Sequence, residues 1–157
     1  MKLTLDTQTL QTMQLFEKIT RARVKACFDD NFKNMVFIVD QGQIQRALGK
    51  DMCNLTKLKK AFVNKKLRII EYNSDVTAFI RNVARPVRLA DVSSELGASG
   101  SIYTMVAKNI KDRGLLIGRN AQNLRNSEFI VKQYFELVEL KVTVKEQTTP
   151  VGETKNE

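Results

Sequence analysis

The chain has no histidine and no tryptophan, and only two cysteines and two prolines among its 157 residues. Without histidine it lacks the commonest general base and metal ligand near neutral pH. Two cysteines, Cys27 and Cys53, are too few for a disulfide framework and read as packing residues of a cytoplasmic protein. No apolar run reaches the ~18 residues of a membrane span, so no membrane partner is expected. Met1-Lys2 leads into Thr4, Asp6, Thr7 and Gln8 rather than an apolar segment, so no secretory leader is expected. P-loop, zinc-ligand and nucleophile motifs are all missing, and neither an enzyme nor a cofactor is expected. Asp29-Asp30-Asn31 reads as a turn, not a catalytic carboxylate pair.

Acidic groups are also scarce. Twenty-six lysines and arginines face 17 aspartates and glutamates, a net charge of +9. Such an excess suits polyanions, although solvated surface cations would give the same count. The imbalance is concentrated between residues 41 and 70. There Arg46, Lys50, Lys57, Lys59, Lys60, Lys65, Lys66 and Arg68 face one acid, Asp51.

What the chain does have is a segment that occurs twice. Leu48-Gly49-Lys50-Asp51-Met52-Cys53-Asn54-Leu55 recurs as Ile117-Gly118-Arg119-Asn120-Ala121-Gln122-Asn123-Leu124. Each copy has a bulky apolar residue, a glycine and a cation, with Asn-Leu following at fixed spacing. A repeat of this size implies two copies of one small unit.

The flanking patterns repeat in the same order. Asp6 can cap a helix to about Thr20, with Leu10, Met13, Phe16 and Ile19 at helical spacing. Arg23 to Phe28 alternates as a half-buried strand, with Val24, Ala26 and Phe28 expected on one face. Met35–Val39 is a more apolar strand. A short helix at about Gln43–Leu48 ends at Gly49. A longer one follows, with a stripe of Leu55, Leu58 and Phe62, and Lys66–Tyr72 is a third strand.

In the second unit, Ser74 or Asp75 caps a helix carrying Val76, Phe79, Ile80 and Val83, which Pro86 stops. Val87 and Leu89 are expected to begin a strand, and the stretch around Gly97, Ser99 and Gly100 a flexible loop. Ser101–Ala107 is a strand. A short helix runs to Ile117, and a longer one from about Ala121 to Phe135 should turn Leu124, Val131, Tyr134 and Phe135 inward. Val138–Val144 is the last strand. Each unit is thus α+β, three strands with helices on one sheet face. The expected domains are residues 5–72 and 74–145. Residues 146–157, nearly without apolar side chains, are an expected disordered tail. The short junction should hold the units in a fixed relation.

A glycine between two helices, followed by a cation, can present backbone N–H groups and positive charge to a phosphate. Such contacts hold a strand without reading its sequence. The candidate binding residues are Gly49, Lys50, Lys57 and Lys60 in the first unit. In the second they are Gly118, Arg119, Asn120, Ala121 and Arg125. The same glycines are also what ends a short helix, and the lysines can be a solvated face.

This arrangement resembles a KH domain, in the element order of the prokaryotic type II form. To about residue 145 the chain resembles the short archaeal NusA-like transcription factors, which consist of two KH domains. The likeness is carried by Ala47-Leu48-Gly49-Lys50 with Asn54-Leu55, by Ile69-Ile70-Glu71-Tyr72, by the bridge Phe79 to Val87, and by Gly114 to Leu124. It implies tandem KH type II domains that bind single-stranded RNA near RNA polymerase and affect elongation or termination, without catalysis. The family loop is G-x-x-G, and both copies here lack the second glycine. Met52 adds bulk and Asp51 an anion, whereas Ala121 adds only a methyl group beside Arg119. The second loop is therefore the better candidate for RNA contact. One alternative is a KH pair kept as a protein-interaction scaffold. A second is a DNA-reading helix-turn-helix over Gln43–Phe62, against which the flanking strands count.

Overall fold

The computed structural model describes residues 6–145. Both the start of the first expected domain and the tail 146–157 reach outside the described residues. The order is α1 (Thr7–Thr20), β1 (Val24–Asp29), β2 (Met35–Val39), α2 (Ile44–Leu48), α3 (Cys53–Ala61) and β3 (Leu67–Glu71). It repeats as α4 (Val76–Ala84), β4 (Asp91–Gly97), β5 (Gly100–Ala107), α5 (Ile110–Ile117), α6 (Gln122–Lys132) and β6 (Glu139–Val144). Two three-stranded sheets result, β1-β2-β3 and β4-β5-β6. In each, the first two strands are antiparallel and the last two parallel.

The two sheets are not equally covered. On one face of the first, Phe37 and Val39 meet Phe16 of α1, Ala47 of α2 and Leu58 of α3. On the other face Ala26, Val36, Ile38 and Ile70 join a core that includes Phe79, Ile80, Met105, Ile130 and Leu140 of the second half. Covering both faces explains why β2 is apolar throughout instead of alternating. The first unit's own helices lie on one face, as expected; the far face is closed by α4 of the second unit. Phe79, Ile80 and Val83 of α4 are fully buried. At about 1.5–3 kcal/mol each, their burial outweighs the ~1 kcal/mol of the Asp75 cap. Tyr72, Phe79, Tyr134 and Phe135 stack at the same seam, with ring centroids 5.2 to 6.2 Å apart. Burial among these rings pushes the Tyr134 hydroxyl above its ordinary pKa.

Four local expectations are overturned. A register shift between Val24 and Ala26 puts Val24 with the α1–α3 core, while Ala26 and Phe28 face the second half. The extra residue of a bulge reverses side-chain alternation. Val87 and Leu89 begin no strand. The Val87 N–H closes a turn onto the Ala84 carbonyl at 3.1 Å, and the Leu89 carbonyl accepts from Arg81 at 3.3 Å. The ladder begins at Asp91, paired with Val106. Residues 97–100 are not a loose loop but the tip of a hairpin, with Gly97 paired to Gly100. β4 is a mostly exposed edge strand, so its polar residues conceal it. The helix expected to run to Phe135 stops at Lys132; Tyr134 and Phe135 pack on the core from beyond its end.

Candidate nucleic-acid interface

The two repeated loops share one backbone. Gly49 has φ 77, ψ 168 and Gly118 has φ 72, ψ −179, a region open essentially to glycine alone. Asp51 and Asn120 follow at φ 55 and 54, and Met52 and Ala121 at φ 61 and 60. The position of the missing second glycine is thus left-handed in both copies, where a side chain costs about 1–2 kcal/mol.

The invariant part of the repeat holds this shape. Gly49 N–H donates to the Gln45 carbonyl at 2.9 Å and Gly118 N–H to the Gly114 carbonyl at 2.8 Å, closing α2 and α5. The Asn54 amide donates to the Arg46 carbonyl and the Asn123 amide to the Leu115 carbonyl, each at 2.9 Å. Each asparagine ties the second helix of its pair back to the first. A Cβ at Gly49 would come within 2.9 Å of Asn54, and one at Gly118 within 2.5 Å of Asn123. Glycine and asparagine therefore recur because one fits against the other. The helix-ending role of the glycines is real, and it leaves the cations that follow them free to point outward.

Lys50, Arg119 and Asn120 are exposed, and Ala121 is half-buried. Lys57 and Lys60, with Lys59, lie exposed on α3, while Leu58 between them is fully buried against the sheet. The stripe expected to pack α3 on the sheet does so at Leu58. Arg125 is exposed on α6. Among the described residues none of Lys50, Lys57, Lys60, Arg119 and Arg125 has an acidic partner within 4.0 Å. Cys53 corrects an expectation: it is exposed beside the first loop rather than packed inside. Cys27 does pack, and burial pushes its thiol up to about 12.

A cleft of about 730 Å³ opens beside the first loop. Leu48, Met52, Ile69 and Leu89 are among its lining residues. Arg68, Arg81, Arg85, Arg88 and Lys108 line it, with no carboxylate among the lining residues. Burial holds the Arg68 guanidinium below its ordinary pKa, opposed by the nearby Asp30, and it donates to the Val83 carbonyl. Arg81 is 3.7 Å from Asp91. Arg85, Arg88 and Lys108 are exposed and unpaired among the described residues. Arg68 falls in the basic stretch 41–70, whereas Arg81, Arg85, Arg88 and Lys108 lie outside it. The close spacing of Arg81, Arg85 and Arg88 is a local signal for part of this set.

The Asp29-Asp30 turn also has a structural task. Asp30 Oδ1 accepts from the N–H groups of Phe32 and Asn34, both at 2.9 Å. Its Oδ2 accepts from the Asn126 amide of α6 at 3.1 Å, and Asn126 Oδ1 accepts from the Asn31 N–H at 2.9 Å. Asp30 and Asn126 are both buried, so this pair latches the two halves together.

No protein-family model matches the chain. A crystal structure of a protein designated APE1850 superposes with a TM-score of 0.69 at 22% identity, over 90% of this chain and all of that one, a likeness of fold. In sequence, the chain is 31% identical to a probable transcription termination protein NusA of Methanocaldococcus jannaschii, over 93% of this chain and 78% of the relative. It is 34% identical to the protein of the same description from Methanococcus vannielii, over 79% of this chain and 70% of that one. With identity at that level spread over most of both chains, the chain belongs to the NusA family of these archaeal proteins.

Proposed function

We propose that the protein is a non-catalytic, cytoplasmic transcription factor that binds single-stranded RNA through two KH-like domains of type II, residues 5–72 and 74–145. It acts on elongation or termination beside RNA polymerase. The observation that carries this reading is the loop built twice on one backbone, each time with an exposed cation after the glycine. Strict reuse of a conformation that strains Met52 and Ala121 is hard to explain by helix ending alone. The basic excess around the first loop and the carboxylate-free cleft beside it support the same reading.

Binding of single-stranded RNA, single-stranded DNA and duplex DNA across a salt series tests it. Single-stranded RNA should bind best, with affinity falling steeply as salt rises. Neutralising Lys57, Lys59 and Lys60 together should weaken binding similarly for all sequences and reduce the log–log salt slope by about 2. An unchanged slope would make that face merely solvated. A second reading, a KH pair serving as a protein scaffold, is favoured by Asp51 and Met52, which put an anion and a 52% exposed side chain on the first loop. No RNA binding even at low salt would establish it over the first.

A further inference from the structure

The repeated loops can hold a phosphate backbone but carry no aromatic side chain to stack a base. The seam between the halves does. Seven of the eight phenylalanines sit in ring-to-ring contacts: Phe16, Phe28, Phe37, Phe62, Phe79, Phe129 and Phe135. Phe32 has no ring partner among the described residues and is 42% exposed. It is not a loose side chain on a loose turn. The Asp30 carboxylate accepts the Phe32 N–H, the turn closes from Lys33 N–H to the Asp30 carbonyl at 3.0 Å, and Asn126 locks Asp30 to α6. An apolar ring is thus presented to solvent by a buried polar latch.

Around it lies a cleft of about 530 Å³, within the range of small-ligand sites. Lys33, Lys65 and Lys66 line it and supply positive charge. Lys65 is paired with Asp29 at 3.4 Å; Lys33 and Lys66 have no acidic partner among the described residues. Asn34, Asn64 and Asn123 line it; the Asn34 and Asn123 amides already donate to Asp30 and to the Leu115 carbonyl, and the Asn64 side chain makes no hydrogen bond among the described residues. Asn123 is also the residue that clamps the second loop, so the cleft adjoins Gly118-Arg119 through a shared side chain. An exposed aromatic face, the free Asn64 amide and the unpaired Lys33 and Lys66 together are what an unstacked base and its phosphate require.

We propose that Phe32 is a base-stacking platform for single-stranded RNA, in a nucleotide site made by the β1–β2 turn, the segment before β3 and the start of α6. The second loop holds the adjoining backbone. This rests on the RNA-binding reading, and it supplies the stacking contact that the loops lack. Stacking is sequence-tolerant, so any preference comes from the Asn64 amide.

The chain has no tryptophan, so Phe32→Trp installs a sole indole at the site. Titrating the variant with a short labelled oligoadenylate reads two signals, RNA anisotropy and indole emission. The indole should be quenched with the same midpoint as the anisotropy, at an affinity near that of the unmodified protein. Phe32→Leu keeps the apolar bulk but removes the aromatic face, and should weaken binding about tenfold. Circular dichroism and urea midpoints confirm that both variants are folded. If Phe32→Leu binds as well as the parent and the indole is not quenched, while Arg119→Glu still weakens binding, the stacking site is wrong and RNA binding stands. If the parent protein binds no RNA at low salt, the RNA-binding reading itself fails, and this site with it.

Discussion

The two loops have nearly the same backbone and very different side chains. Asp51 and Asn120 differ by one degree in both φ and ψ, as do Asp51's and Asn120's neighbours Met52 and Ala121 in φ. Yet one loop carries an acid and a thioether, the other an amide and a methyl group. The lesson is that conformation here is held from outside the variable positions, by a glycine packed against an asparagine that grips the preceding helix. The chemistry displayed on the loop is thereby free to diverge. The equivalent positions of the following helices diverge further: Lys57 of α3 is exposed, whereas Asn126 of α6 is buried in the latch.

The sharpest way to break this equivalence is at the glycines. Gly118→Ala should cost about 3 kcal/mol, because a Cβ would lie 2.5 Å from Asn123 in a glycine-only backbone region. Gly49→Ala should cost less, since its contacts begin at 2.8 Å with the Cys53 sulfur. Urea denaturation of both variants checks the order; equal, small losses would mean that the clamp does not set the loop.

Next comes the helix position that differs most. Asn126→Ala should cost about 2 kcal/mol, because it leaves the buried Asp30 carboxylate and the Asn31 N–H short of partners. Lys57→Ala should change stability by no more than about 0.5 kcal/mol. Equal effects on the thermal midpoint would show that the latch is not what joins the halves.

Charge reversal in the loops should have a smaller effect, read as binding. Arg119→Glu should weaken RNA binding about tenfold, and Lys50→Glu less, because Asp51 already opposes phosphate in the first loop. The reverse order, measured with one RNA at fixed salt, would make the first loop the working one.

Smallest is the return of the second glycine. Met52→Gly and Ala121→Gly should each raise stability by about 1 kcal/mol by relieving a left-handed side chain. Ala121→Gly should also tighten RNA binding modestly. Met52→Gly should do so only when Asp51→Lys removes the anion beside it. A loss of stability on either change would show that those side chains pack more than their backbone costs.

Much of the fold was legible in sequence because its signals are local. Asp6 and Asp75 cap the helices they were expected to cap, with N–H donors Thr9 and Thr77. Gly49 and Gly118 end helices where a repeat of Gly and Asn says they should. The misreadings fall where the deciding partner is distant. The bulge beside Val24 depends on β2, the Gly97–Gly100 hairpin on an edge pairing of polar residues, and the Cys53 exposure on where α3 turns.

The sequence by itself determined the repeat, the charge excess, the loop and the missing second glycine, because each is a matter of residue type at fixed spacing. Only the tertiary structure decided what the halves do to each other. It closed the second face of the first sheet with α4, turned Asp30 into a latch for Asn126, and gathered Arg68, Arg85, Arg88 and Lys108 around one cleft. The same packing left Phe32 without a ring partner among the described residues, while the other phenylalanines are buried or half-buried against rings. These pairings join residues as many as 96 positions apart, and no local pattern carries them. Burial area and hydrogen-bond satisfaction choose such partners, and both exist only once the chain has folded.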